Sequence, residues 1–272
     1  MSGGACLSDT HQRARGELLI AVKRRGEASV ISDLRQSGCL KARFPRPIVP
    51  FWLDATMLNS SGGVAGGDQL DTTISVEAGA HATIAAQAAE RFYRALPDSK
   101  PSRVRTKISV ATGAAAEWLP QETILFDRSA LNRHLTIDLA PDASFLGVEI
   151  LIFGRAAMGE TVTQIRLRDT IELHRAGEIV LRDAIRLDGD AAAILARTAG
   201  GARVVATLIY AAPDAATRLD AVRAAGDFAS SAWNGILLTR FLGPDGAAVR
   251  RDVMTVLDVL RDGRPVPRVW LC

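Results

Sequence analysis

Cysteine and histidine are both scarce in this sequence of 272 residues. The three cysteines, Cys6, Cys39 and Cys272, are odd in number and lie far apart without a CxxC pair, so a disulfide framework is not expected. The four histidines are scattered, and none has the HxH or HExxH spacing of a zinc site. The spacing therefore favours surface or core histidines over a permanent metal site.

Long apolar runs are also absent. The longest apolar stretch, 145–153, is interrupted by Glu149 and is much shorter than the roughly 20 residues that cross a bilayer. Residues 1–15 include Asp9 and His11 and have no apolar core of the kind found in signal peptides. We therefore expect a soluble, cytoplasmic protein with a flexible N-terminal tail over residues 1–15 and no association with membranes.

The charges nearly cancel, with 33 basic and 30 acidic side chains and a formal net charge of +3. No cluster of lysine and arginine alternates with aromatic residues, and aromatics make up only 5% of the chain. Nucleic-acid binding is therefore not expected. Apolar residues account for 48% of the chain, which predicts a folded protein with a sizeable core.

Residues 16–188 consist of short β-prone segments separated by turn residues such as Gly26 and Ala176-Gly177. In 161–174, apolar residues partly alternate with polar ones, which is typical of strands with one buried face. This pattern predicts a mainly β fold of stacked antiparallel sheets.

The C-terminal part, 202–272, has a different pattern that predicts a small βαβα portion with two helices. The second helix carries its apolar residues on one face and stops at Asp262-Gly263. The Ala- and Gly-rich stretch 188–201 is the predicted boundary inside a single domain that covers 16–272.

A glycine-rich loop occupies 59–68 with the sequence NSSGGVAGGD. A phosphate-binding P-loop needs Lys-Ser/Thr after its last glycine, whereas Asp68-Gln69 stands here, and the loop leads into a predicted strand rather than a helix. The sequence therefore predicts a structural turn in which Gly62, Gly63, Gly66 and Gly67 supply positive φ or permit close backbone approach.

Four carboxylates stand in predominantly apolar or constrained surroundings. Glu149 and Asp183 lie inside apolar strands, Glu90 follows the apolar run 85–89, and Asp68 ends the glycine loop. An unpaired buried carboxylate costs several kcal/mol, so each needs a partner. Three interpretations remain open: ion pairs with Arg155, Arg182 or Arg186, exposure on a sheet face, or a polar path for a cation. A hydrolase or carbohydrate-active enzyme with paired carboxylates is the alternative function.

Five sequence strings resemble the urease accessory protein D family, called H in some organisms. They occur in the family's order, and they are LNSSGGVAGGD (58–68), AQAAERFYRA (86–95), EWLPQETILF (117–126), FGRAAMGE (153–160) and PRVWL (267–271). The chain departs from many relatives at 59–61, where Asn-Ser-Ser replaces His-Pro-Pro.

The resemblance implies a mainly β fold of stacked, helix-like layers and a non-enzymatic scaffold for urease maturation. Expected partners are an all-helical accessory protein (F), a nickel-carrying GTPase (G) and apo-urease. Ni²⁺ is expected in transit, without a tightly bound cofactor, along positions that match Asp68, Glu90, Glu149 and Asp183. The expected partner surfaces are the helix 249–260, for which core packing is the alternative, and an exposed tail at 267–271.

Overall fold

The computed structural model describes residues 13–271, which form two β-sheets and three α-helices. The prediction of a mainly β fold is confirmed. Most of the predicted N-terminal tail lies outside the described residues, as do Cys6, His11 and Cys272, but Arg15 already begins the first strand. No helix in the described part is long and apolar enough to cross a bilayer.

The strands in chain order are β1 (Arg15–Arg25), β2 (Ala28–Gly38), β3 (Leu40–Arg43), β4 (Trp52–Asn59), β5 (Gln69–Val76), β6 (His81–Ala86), β7 (Glu90–Phe92), β8 (Ser102–Val110), β9 (Ala115–Leu119), β10 (Thr123–Leu125), β11 (Ala130–Leu139), β12 (Ser144–Phe153), β13 (Ile165–Arg175), β14 (Glu178–Gly189), β15 (Val204–Ala211), β16 (Ala229–Trp233) and β17 (Ile236–Gly243). The helices are α1 (Ala191–Thr198), α2 (Leu219–Ala224) and α3 (Gly246–Leu260). Sheet I has seven strands in the order β14-β13-β11-β8-β5-β1-β2. Sheet II has ten, eight of them in the order β16-β17-β15-β12-β9-β6-β4-β3, with β10 beside β12 and β7 beside β10.

The expectation of antiparallel stacking is wrong for the centre of both sheets. Strands β1, β5, β8, β11 and β13 pair in parallel in sheet I, and β4, β6, β9 and β12 do so in sheet II. The chain leaves each sheet, crosses to the other and returns one position further along, so successive strands of a sheet run in the same direction. Antiparallel pairing occurs at hairpins such as β1–β2 and β13–β14, and where β15 joins β12 and β17.

Apolar side chains from both sheets fill the space between them. In sheet I, Ile20, Ile74, Ile108 and Ile137 stand opposite one another on four neighbouring strands, and each is almost fully buried. Fully burying such a side chain contributes about 1.5–3 kcal/mol. Because side chains alternate between the two faces of a strand, every second residue of sheet I points into this interior.

Helix α3 packs against the other face of sheet II. Its apolar residues Val249, Val253, Val256, Leu257 and Leu260 are all buried in a second core with the outward-facing residues of β12 and β15. The helix begins at Asp245, whose side chain accepts a hydrogen bond from the Ala248 N–H at 2.9 Å. The apolar face of the helix is thus covered by its own chain, and it is not an exposed partner surface.

The C-terminal tail is anchored in the core, contrary to the expectation of an exposed surface, because Pro267 and Trp270 are buried while Arg268 and Leu271 are exposed. Trp270 is only 1% exposed, and its indole N–H donates to the carbonyl of Leu119 at 2.9 Å. Leu271 is exposed. The tail therefore closes the core instead of leaving an apolar strip free.

The two helices predicted within 202–272 are present as α2 and α3, but the predicted βαβα order omits strand β16. Helix α1 lies inside the stretch taken as a boundary, and its first turn is capped by Asp190, which accepts from the Ala193 N–H at 2.9 Å. Strand β16 precedes β17 in a hairpin whose turn is Asn234-Gly235, with both residues at positive φ. Asn-Gly is a strong hairpin signal because both residues tolerate this conformation.

Candidate functional site: a polar route between the sheets

A cavity of about 420 Å³ lies between the two sheets and is lined by residues of both. The glycine turn and Glu90 line it together with Lys41 and Arg43, while Trp118, Arg133 and Glu149 line it where β9, β11 and β12 contribute. One buried water needs only about 10–15 Å³ of such volume, so the cavity has room for many. Its walls are largely apolar, so only a few charged side chains could bind a polar or charged ligand there.

Glu90 begins β7, after the polypeptide leaves β6. Its Oε2 accepts a hydrogen bond from the Asn59 amide nitrogen at 3.1 Å. Burial raises the pKa of Glu90, and the hydrogen bond from Asn59 opposes that effect. Asn59 therefore holds the carboxylate in place.

A buried ion cluster borders the cavity at Glu149. Arg133 donates to both carboxylate oxygens of Asp169, at 2.8 and 2.6 Å, and its Nη1 lies 2.5 Å from Glu149 Oε2. The same Nη1 donates to Thr123 Oγ1 at 2.9 Å, and the Trp118 indole N–H donates to Glu149 Oε1 at 2.9 Å. Burial raises the pKa of Glu149, against the opposing attraction of Arg133.

A much smaller polar gap lies beyond this cluster and is lined by Glu149, Asp169, Asp183 and Thr207. Its volume of about 10 Å³ is close to that of a single water. Asp183 forms an ion pair with Arg240, which also donates to Thr207 Oγ1 at 2.5 Å. Glu149 faces both spaces, so the wide cavity and the narrow gap meet at this one side chain.

The charges along this line do not cancel. At the narrow gap, three carboxylates (Glu149, Asp169 and Asp183) stand against two guanidinium groups (Arg133 and Arg240), which leaves one negative charge in this cluster. In the wide cavity, the basic side chains of Lys41 and Arg43 accompany Glu90. No cluster of three or more metal-ligating side chains suited to holding an ion occurs among residues 13–271. The acids of the gap are therefore held by arginines and do not form a coordination shell.

Asp68 does not line either space. It is 4% exposed, and its two oxygens accept the backbone N–H groups of Ala14, at 2.9 Å, and Ala65, at 2.7 Å. These hydrogen bonds fasten the glycine turn to the start of β1. Glu90 and Glu149 thus line the wide cavity, and Glu149 and Asp183 line the adjoining gap, whereas Asp68 lies in the turn. We call this succession of two spaces the candidate route.

The glycine turn itself combines unusual backbone angles with close packing. Gly62, Gly63 and Gly67 have φ of 78°, 137° and 90°, a region that glycine adopts without strain. Gly66 has ordinary φ, but a β-carbon there would lie 2.5 Å from Ser99 Oγ and 2.9 Å from the Ala95 β-carbon. The turn therefore needs glycine for two different physical reasons.

Comparison with known proteins identifies the family of this chain. The family model described as UreD urease accessory protein matches residues 14–271. The chain belongs to the UreD family of urease accessory proteins. A urease accessory protein from Azorhizobium caulinodans is 42% identical over 95% of this chain and 97% of its own length, and one from Dinoroseobacter shibae is 41% identical over 97% and 94%. One from a Methylobacterium species is 43% identical over 90% of both chains.

Membership in the UreD family makes the chain a factor in urease maturation and not an enzyme. The alternative of a hydrolase with paired carboxylates is set aside on this finding. In the structure, Glu149 and Asp169 both pair with the same arginine, so neither is a free acid or base.

For this UreD-family protein, the sequence predicts the wrong arginine partners for the buried acids. Arg155 pairs with Glu160 and Arg182 with Glu172, whereas the buried acids pair with Arg133 and Arg240. Arg133, Asp169, Trp118 and Arg240 were not singled out as site residues. The period-two pattern contains the signal for two of them, Arg133 and Asp169. Both have polar neighbours in sequence, and both fall in phase with the inward apolar residues of β11 and β13.

One further family string, EWLPQETILF, attaches the C-terminal segment to sheet II. Glu117 is buried on the helix side of the sheet, where it accepts from Arg261 Nε at 3.1 Å, from Thr83 Oγ1 at 2.7 Å and from Arg264. Arg250 donates to Gln121 and Glu122, each at 2.7 Å. The string therefore has a structural role in addition to supplying Trp118 to the route.

Proposed function

We propose that this protein is a non-catalytic scaffold that helps deliver Ni²⁺ to apo-urease through the polar route between its sheets. It acts in a complex with the all-helical F protein and the nickel-carrying GTPase G. Family membership supports the role in maturation. The observation that carries the proposed route is the succession of Glu90, Glu149 and Asp183 along a wide cavity and the adjoining gap.

The chemistry of the route suits passage better than storage. Ni²⁺ accepts carboxylate and water oxygens as ligands, and the wide cavity has room for a partly hydrated ion. Glu149 and Asp183 already have cationic partners, so an incoming ion competes with Arg133 and Arg240 for their oxygens. The ion therefore binds each carboxylate weakly and dissociates quickly.

The narrow gap sets the condition for movement of the ion. A space for a single water does not admit a hydrated ion while Arg133 and Arg240 hold their present positions. We propose that the gap opens when these two side chains move and release their carboxylates as the ion approaches. The ion then replaces the arginines as the partner of these carboxylates.

Co-expression with the urease structural genes and the F and G proteins tests the role in maturation. The protein should co-purify with these partners, and urease made without it should contain little nickel by elemental analysis. GTP hydrolysis should depend on the G protein and be absent from this chain alone. Urease that acquires its full nickel content in cells lacking this protein would contradict the proposal.

A further inference from the structure

The outer face of sheet I carries a concentration of arginines that the folding of the chain does not explain. Side chains of β8, β11, β13 and β14 that point away from sheet II form transverse rows. One row consists of Arg103, Asn132, Arg168 and Arg186, which stand opposite one another on successive strands. Neighbouring strands are about 4.8 Å apart, so this row spans roughly 14 Å.

Two further arginines extend the row on either side. Arg105 lies two residues after Arg103 on β8, and Arg166 lies two residues before Arg168 on β13. We call Arg103, Arg105, Arg166, Arg168 and Arg186 the arginine patch. Against its five positive charges stand Asp71, which pairs with Arg103 at 2.8 Å, and Asp188, which is in register with Arg166. The patch keeps three positive charges, as many as the formal net charge of the entire chain.

Three members of the patch have no partner within the described part of the chain. Arg105, Arg168 and Arg186 are exposed and form no ion pair or side-chain hydrogen bond there. Arg168 and Arg186 stand directly opposite each other, and like charges in that position destabilise a sheet. No contact within the fold offsets this cost, since α2 and α3 cover sheet II and these arginines of sheet I are exposed.

The shape and spacing of the patch indicate what binds it. A guanidinium group recognises a carboxylate through two parallel hydrogen bonds. Carboxylates at i and i+4 on a helix are about 5–6 Å apart, close to the spacing of strands, and a row of roughly 14 Å accommodates about three of them. The patch contains no aromatic side chain on which the bases of single-stranded nucleic acid stack.

We propose that the arginine patch is a docking surface for an acidic helix of a partner protein, which lies across the strands of sheet I. This surface is separate from the nickel route, which lies on the opposite side of the same strands. The interaction adds a contact to the maturation role and does not depend on passage of the ion.

Fluorescence anisotropy with a labelled helical peptide tests this surface on the full chain. The probe is an alanine-rich helix with glutamate at three positions spaced i, i+4 and i+8, and its control carries glutamine at the same positions. The glutamate peptide should bind the wild-type chain, and its affinity should fall as the salt concentration rises. Its affinity for the Arg168→Glu/Arg186→Glu variant should be about tenfold lower than for wild type. The glutamine peptide should not bind.

Two further variants distinguish specific docking from general attraction. Arg25→Glu/Arg251→Glu makes the same change in net charge at exposed arginines outside the patch and should alter affinity less than about twofold. Arg168→Lys/Arg186→Lys keeps the charge without the planar fork and should bind with intermediate affinity. Equal losses in the patch and control variants would overturn the proposal. So would tighter, patch-dependent binding of a 20-nucleotide single strand or of vesicles with 30% phosphatidylserine.

Discussion

Replacement of Arg133 by methionine tests the account of the buried ion cluster. The change removes the cation that pairs with both Glu149 and Asp169 and leaves two carboxylates in the core without compensation. Breaking a buried pair by removing one partner costs about 3–5 kcal/mol, a large fraction of a total stability of about 5–15 kcal/mol. The side chain of methionine fills much of the space of the arginine stem, so loss of charge compensation dominates the effect.

Urea-induced unfolding, followed by tryptophan fluorescence, measures this loss. The control is the triple variant Arg133→Met/Glu149→Gln/Asp169→Asn, in which all three charges are removed together. Replacing a complete buried ion cluster is often nearly neutral, so the triple variant should recover most of the lost stability. A loss below about 1 kcal/mol for Arg133→Met would refute the assigned role of the guanidinium. A triple variant as unstable as the single one would mean that packing, and not charge, is responsible.

Three other changes follow from the geometry. Burial raises the pKa of Glu90, so the folded protein binds a proton there more readily than the unfolded chain does. The wild-type protein should therefore lose stability relative to Glu90→Gln as the pH of denaturation experiments rises from about 4 to 7. Gly66→Val should lower the melting temperature and solubility because its side chain meets Ser99 and Ala95, whereas Gly79→Ala, which meets no neighbour, should have the smaller effect of backbone strain alone. Glu117→Ala should cost about 3–5 kcal/mol in urea unfolding, and an unchanged midpoint would remove Glu117 as the anchor of the C-terminal segment.

The sequence pattern predicted the strand content well because alternation is a local property. The turns at Gly26 and Ala176-Gly177, which join β1 to β2 and β13 to β14, are predicted for the same reason. Parallel pairing was missed because it depends on where the chain goes after each strand, and crossings between sheets leave no mark in a short window. Two further elements have local signals in the sequence: a capping aspartate precedes helix α1, and an Asn-Gly pair forms the hairpin turn at Asn234-Gly235.

The candidate site was predictable in part. Glu149 and Asp183 stand out as acids inside apolar strands, and both line the route. Their partners Arg133 and Arg240 come from other strands, and residue types alone do not say which strands become neighbours. Asp68 also looked like a lining residue, yet its partners are backbone N–H groups, one of them 54 residues away. Backbone donors are present at nearly every position and carry no sequence signal.

The nickel content of urease provides the most direct test of the proposed route. Urease should be co-expressed with the F and G proteins and the Glu149→Gln/Asp183→Asn variant, which removes two negative charges with little change in shape. Glu27→Gln/Glu178→Gln, at two exposed acids outside the route, is the matched control. The account predicts that the double variant still co-purifies with its partners but yields urease with less nickel and lower activity, while the control behaves as wild type. Full nickel content and activity with the double variant, its fold verified by circular dichroism, would contradict the account.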